Sequence, residues 1–205
     1  MAFQFKIQLN GVSKPPVTRE VVVNENISFH RFHEIIQIAM GWEDYHHYIF
    51  SPKGYGSYPN FQENTPDAGI EFAPISYLKL GYDGTFDSRK AKLTHYFEMT
   101  QDKITYIYDL GDNWKHTITL IQITDLTVDK PFVTKGKGKC PPEDCGGVWG
   151  YERMLEAINN PKDPEHRDMR YWLGMEKGDA WDVNEFDKDA VNEELRRWML
   201  LFNPQ

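Results

Sequence analysis

Phe3-Gln4-Phe5-Lys6-Ile7-Gln8-Leu9-Asn10-Gly11 alternates apolar and polar side chains, then reaches a dipeptide suited to a tight turn. A two-residue period places Phe3, Phe5, Ile7 and Leu9 on one face of a strand, and Asn-Gly is a strong hairpin signal. Pro15-Pro16 forces an extended lead into a second strand over Thr18–Val23. The period then changes. Ser28 can cap a helix in which Phe29, Phe32, Ile36 and Met40 share a face, and Gly41 ends it. A hairpin followed at once by an amphipathic helix sets the plan of the chain.

Further strands are expected near Tyr48–Phe50, Ile104–Leu110 and His116–Ile123, with loops and short strands over Ser51–Gly84. Tyr151, Met154, Leu155 and Ile158 follow helical spacing up to Pro161. Asp163-Pro164 opens a second late helix running through Leu173. Val191, Leu195, Trp198 and Phe202 define a third. Strands fill the first two thirds and helices the last, so the class is α+β. The expected architecture is one compact unit over 1–205, sheet-rich in 1–140 and helical in 141–205. Its sheet is mostly antiparallel, its opening resembles a β-grasp, and its last helices pack beside the sheet.

The 205 residues carry 31 acidic and 23 basic side chains, a formal charge of −8. A chain of this size buries roughly 70% of its extended surface, enough for one good core. The acidic excess is local. Residues 141–205 hold 15 acidic and 8 basic groups, whereas 81–140 hold 8 and 9. Nonspecific binding of duplex DNA needs a net basic face, so this balance works against it. Two cysteines are too few for a disulfide framework, and free thiols in a reducing cytoplasm are expected. The alternating start is unlike a secretory leader, and no apolar run is long enough to span a bilayer.

Several local patterns invite a chemical reading and fail it. His33-Glu34-Ile35-Ile36-Gln37 has glutamine where a zinc-protease helix needs its second histidine. His33 also shares the apolar face of its helix, which suits a hydrogen-bonded core histidine. Lys135-Gly136-Lys137-Gly138-Lys139 lacks the first glycine and the Ser or Thr of a phosphate loop, and reads as a solvated loop. Cys140 and Cys145 have a spacing that chelates zinc only with two more ligands from elsewhere.

Two segments are denser in Gly, Asp and aromatic residues than secondary structure requires. In Tyr106-Ile107-Tyr108-Asp109-Leu110-Gly111-Asp112-Asn113-Trp114-Lys115-His116, a two- or four-residue loop sets Asp109 diagonal to His116 on one face. A three-residue loop changes that pairing. The Asp–His pair can serve proton transfer, hold a divalent cation or tie down the turn. Pro141-Pro142-Glu143-Asp144-Cys145-Gly146-Gly147-Val148-Trp149-Gly150-Tyr151 offers Glu143 and Asp144 either as helix-terminal charges or as hard oxygen ligands. The two segments are expected to meet around one polar concavity. His46 would lie nearby, Trp114 would form an apolar wall, and Asp109, Asp112, Glu143 and Asp144 would supply polar groups.

These motifs together resemble the plasmid pRiA ORF-three-like family, first noted on root-inducing plasmids. Its helix, Leu-His-x-x-Ile-Gln-x-Ala-Phe-Gly-Trp, is matched by Phe32 to Trp42, followed by His46 and Phe50. Its hairpin, Tyr-x-Tyr-Asp-Phe-Gly-Asp-x-Trp-x-His, is matched by Tyr106 to His116, with Leu110 in place of Phe. Its Pro-Pro-Glu-Asp-Cys-Gly-Gly-x-x-Gly-Tyr signature is matched from Pro141 to Tyr151. The resemblance implies a fold more than an activity. Some members carry the label of a transposon resolvase or a mobile-element passenger.

Two functional expectations follow. One is a cytoplasmic binding or accessory protein without catalysis of its own. It would take an unknown protein or small ligand through loop aromatics such as Tyr55, Tyr58 and Phe61, with no cofactor evident. The other is a metal-dependent enzyme, resolvase-like and acting on nucleic acid, with a divalent ion held among Asp109, Asp112, His116, Glu143 and Asp144. A resolvase needs arginines around its nucleophile, and neither Tyr106 nor Tyr108 has them in sequence. Duplex DNA is therefore expected to bind more weakly than about 10 μM at physiological salt. Sub-micromolar, salt-sensitive binding in a gel shift would reverse that expectation.

Overall fold

The computed structural model describes residues 1–65 and 69–202. Eight strands form one sheet: β1 (Ala2–Ser13), β2 (Pro16–Asn24), β3 (Tyr48–Ser51), β4 (Asn60–Gln62), β5 (Thr85–Asp87), β6 (Lys103–Tyr108), β7 (Trp114–Thr124) and β8 (Phe132–Lys137). Their order is β5-β4-β3-β6-β7-β1-β2-β8. Pairing is antiparallel throughout except between β4 and β5. Among the described residues four α-helices complete the fold: α1 (Phe29–Met40), α2 (Gly147–Asn159), α3 (His166–Trp172) and α4 (Lys188–Phe202). The class is α+β. The opening keeps the hairpin–helix–strand order, and β1 borders antiparallel β7 rather than β3. No helix among the described residues is long and apolar enough to cross a membrane.

α1 forms where its periodicity and caps place it. Ser28 accepts a hydrogen bond from the Arg31 N–H, and Gly41 closes the helix at φ 86°. Its buried face lies on an aromatic core in which Phe29 stacks on Phe61 at 4.0 Å and Phe5 meets Phe32 at 4.7 Å. Phe61 is thus a core residue with no exposed surface, while Tyr55 and Tyr58 remain half exposed. The same core takes Tyr151, Met154 and Ile158 from α2 and Leu195 from α4. His33 is buried as its helical position requires. It stacks on Tyr48 at 3.7 Å and bonds the Tyr106 hydroxyl and Asp44, each at 2.7 Å.

Three local expectations are corrected. The first strand does not turn at Asn10-Gly11. It shifts register between Gln8 and Ser13 and turns at Lys14-Pro15, with Ser13 opposite Pro16. Gly11 takes φ +88°, and Val148 sits where a Cβ would be, so helix packing rather than a turn uses this glycine. Residues 135–137 are not a loop but part of edge strand β8, paired with β2. Finally, the hairpin connection spans five residues, so Tyr108 faces Trp114 and Tyr106 faces His116. An odd loop shifts the partner set by one and removes the Asp109–His116 diagonal.

His116 therefore points into the core. It has no exposed surface, and neither ring nitrogen makes a well-formed hydrogen bond among the described residues, with only the backbone of Tyr106 and Trp114 near enough to favour its charged form. Desolvation pushes its pKa down to about 3. Below about pH 6.5 the unfolded chain takes up a proton that the folded chain refuses. Stability is thus expected to fall as pH drops from about 6.5 toward 3, by up to about 1.4 kcal/mol per unit for this group. Denaturant titrations at pH 7, 6 and 5 should show that slope, and His116→Phe should flatten it. An unchanged slope in the variant would place the titrating group elsewhere.

Candidate functional site

Three loops meet at one end of the sheet: residues 42–47 after α1, the hairpin tip 109–113, and residues 141–146 before α2. Their backbone is unusual. Asp44, Asp109, Asn113 and Asp144 all have φ between 55° and 62°. Short polar side chains tolerate this left-handed region because they bond the local backbone. Asp109 does so directly, with Oδ1 accepting from the N–H groups of Gly111 at 2.9 Å and Asp112 at 3.2 Å.

Cross-bonds lock the loops together. Asp109 N–H donates to the His47 carbonyl at 3.0 Å, joining hairpin and first loop. Gly146 N–H donates to Asp112 Oδ2 at 3.0 Å, joining hairpin and third loop. Glu143 accepts from the Glu43 N–H at 2.8 Å and from the Tyr108 hydroxyl. That hydroxyl itself accepts from the Tyr45 N–H at 3.0 Å. Burial first, and then the Glu143 carboxylate, push the Tyr108 pKa upward, so the phenol stays protonated and donates.

The predicted residues separate into three groups. Trp114 and His116 are buried in the core and line no open concavity, because the observed register turns both inward. Asp112 and Glu143 bind backbone N–H groups and a phenol, which is scaffold work. His46, Asp109 and Asp144 converge. His46 Nε2 lies 3.0 Å from Asp144 Oδ1 and 3.7 Å from Asp109 Oδ2. One ligand atom from each of the three falls within 4.8 Å of the others. Donors about 2.1 Å from a tetrahedral ion sit about 3.4 Å apart, so this spacing needs only small side-chain adjustments. Asp109 is nearly buried, His46 partly open and Asp144 mostly open, so the cluster faces water on one side.

The cysteines take no part in that cluster. Both are free, Cys140 buried and Cys145 partly so. Burial raises both thiols, and Cys145 is pushed up to about 12 with Asp112 adding to the effect. Neither is a ready thiolate nucleophile.

Comparison with known proteins identifies the family. A family model described as plasmid pRiA4b ORF-3-like protein matches residues 1–190. The chain belongs to this family. It is 32% identical over 199 residues to the uncharacterized protein y4hQ of Sinorhizobium fredii (strain NBRC 101917 / NGR234), covering 95% of this chain and 93% of that protein. It is also similar to a solved structure, the protein of unknown function MM3350 from Methanosarcina mazei Go1. There the TM-score is 0.72 with 31% identity, over 93% of this chain and 97% of the other. Family membership therefore brings the fold with it and leaves the chemistry to be argued from the site.

The glycines of the Pro141–Tyr151 segment suit close backbone approach, and Gly147 and Gly150 make it. A Cβ at Gly150 would stand 1.8 Å from the Cys145 carbonyl oxygen, and one at Gly147 2.5 Å from the Asp112 carbonyl oxygen. Both contacts are to backbone, which cannot step aside without moving the loops. Gly150→Ala is expected to cost more than about 3 kcal/mol or to abolish folding. Chemical denaturation checks it, and a loss under about 1 kcal/mol would show that the third loop yields easily.

Proposed function

We propose that this family member is a binding protein whose site is a divalent-cation centre made by His46, Asp109 and Asp144. The convergence of one imidazole and two carboxylates from three remote loops carries the reading. One nitrogen and two oxygen donors suit Mn²⁺ or Zn²⁺, and three protein ligands leave coordination positions for water or a small ligand. Asp109 is preorganised, since its turn bonds fix Oδ1 and leave Oδ2 toward His46. Asp144 supplies the accessible arm.

The reading places the protein in the cytoplasm, in keeping with two free thiols, and gives it an accessory role beside mobile elements, in keeping with the label that some of its family carry. A metal-dependent enzyme acting on nucleic acid is the second reading, and it would use the same three residues with Asp112 and Glu143 holding the loops around them. Tyr106 and Tyr108 have no exposed surface, which favours a reading in which neither attacks a phosphodiester.

Protein purified without chelator and titrated with Mn²⁺ and Zn²⁺ by calorimetry should bind about one equivalent. Asp144→Asn, at an exposed position, should weaken binding about tenfold or more without changing the apo melting temperature. Absence of stoichiometric binding, or equal affinity in the variant, would remove the metal reading.

A further inference from the structure

Arg19 on β2 is only 2% exposed, yet it has no carboxylate partner among the described residues. Its Nε donates to the Ala39 carbonyl at 2.7 Å, at the C-terminal end of α1. Its Nη1 donates to the carbonyls of Thr18 at 2.8 Å and Lys137 at 2.9 Å. The Phe186 ring lies over the guanidinium, 3.9 Å from Cζ to centroid. Nη2 is left over, with two N–H groups and no protein acceptor among the described residues.

Arg19 lines a hollow of about 410 Å³ together with Met40, Lys139, Pro142, Trp181 and Val191. Carbonyl dipoles offset part of the charge on the buried Nε and Nη1 side, and the Nη2 edge opens on the hollow, where an anion can meet it. The neighbouring acids are engaged elsewhere. Glu185 pairs with Lys139, and Asp187 Oδ1 accepts from the N–H groups of Asp189 and Ala190 at the start of α4. Cys140 supplies no negative charge, because burial raises its thiol. Desolvation lowers Arg19 only to about 10, so it stays charged at neutral pH.

We propose that this hollow binds a small organic acid, its carboxylate on the free Nη2 hydrogens of Arg19 and its apolar body against Trp181, Pro142 and Val191. One free NH₂ edge matches a monoanionic carboxylate, whereas a phosphate dianion needs more donors than the hollow offers. Of the charged residues lining the hollow, Lys139 pairs with Glu185 and Asp187 caps α4, so Arg19 is the cation left to anchor a ligand between largely apolar walls. The site is separate from the His46 cluster, so the two assignments stand or fall independently.

Benzoate is a suitable probe for the intact chain, with benzamide and inorganic phosphate as controls, read by amide chemical shifts in a titration. Benzoate should saturate near or below about 1 mM, shifting residues 139–142 and 186–191, with benzamide at least about tenfold weaker. Arg19→Lys should abolish the effect but also touches the end of α1. Ala190→Trp fills the hollow from an exposed helix position and should weaken benzoate about tenfold with melting unchanged. Asp144→Asn should leave benzoate binding intact. Four outcomes would each overturn the proposal: no saturation by about 20 mM, equal binding of benzamide, phosphate binding tighter than benzoate, or an unaffected Ala190→Trp variant.

Discussion

The Tyr108 hydroxyl is the bond on which the loop cluster depends. It accepts from the Tyr45 N–H and donates to Glu143, and Glu143 in turn accepts from the Glu43 N–H. One phenol at the end of β6 thus ties the loop after α1 to the loop before α2, 100 residues away. The ring is held rigidly for this task, stacked on Trp42 at 5.0 Å, while the Trp42 indole N–H donates to the Pro141 carbonyl at 2.9 Å. Removal of the phenol oxygen would take the acceptor from the Tyr45 N–H and leave Glu143 only the Glu43 N–H, so the tie between the two loops would be lost.

Glycine makes that closure sterically feasible. Gly146 and Gly147 have φ of 88° and 67°, and they bring α2 onto the hairpin tip at backbone distance. The acidic residues around them are then shared out by geometry. Asp112 meets a backbone N–H, Glu143 meets a phenol and an N–H, and only His46, Asp109 and Asp144 are left converging on open space. A sequence rich in carboxylates yields a small site because most of those carboxylates are consumed as scaffold.

The elements with strong periodicity were legible in the sequence: β1, α1, β6, β7 and α2 lie close to where alternation or helical spacing puts them. Their caps were legible too, since Ser28 and Gly41 act as their residue types suggest. The hairpin register was not. Loop parity between β6 and β7 depends on Asp109 and Asn113 adopting left-handed backbone, which no pattern of hydrophobicity encodes. That single shift put Tyr106 and Tyr108, rather than Ile107 and Asp109, on the core face that Trp114 and His116 share. Edge strand β8 was hidden for a different reason. Its lysines face solvent and Gly136 lies beneath Phe186, so the pairing rests on β2 and on a residue 50 positions later.

The meeting of the two dense segments was legible because both carried more glycine and aspartate than a strand or helix can use. What could not be read was which acids would be spent on the backbone. The same accounting of partners separates the two ends of Pro141–Asp144. At one end Pro141 and Pro142 wall the hollow beside Arg19, and at the other Asp144 reaches His46. Two adjacent prolines fix the direction of the chain between a buried cation lacking an anion and an open cluster of anionic donors. Opposite charge imbalances lie within a few residues of each other, yet neither neutralises the other, because Glu143 between them is held by Tyr108 and the Glu43 N–H. The fold therefore keeps both imbalances unspent, and an unspent charge at a concave surface is what a ligand of opposite sign can use.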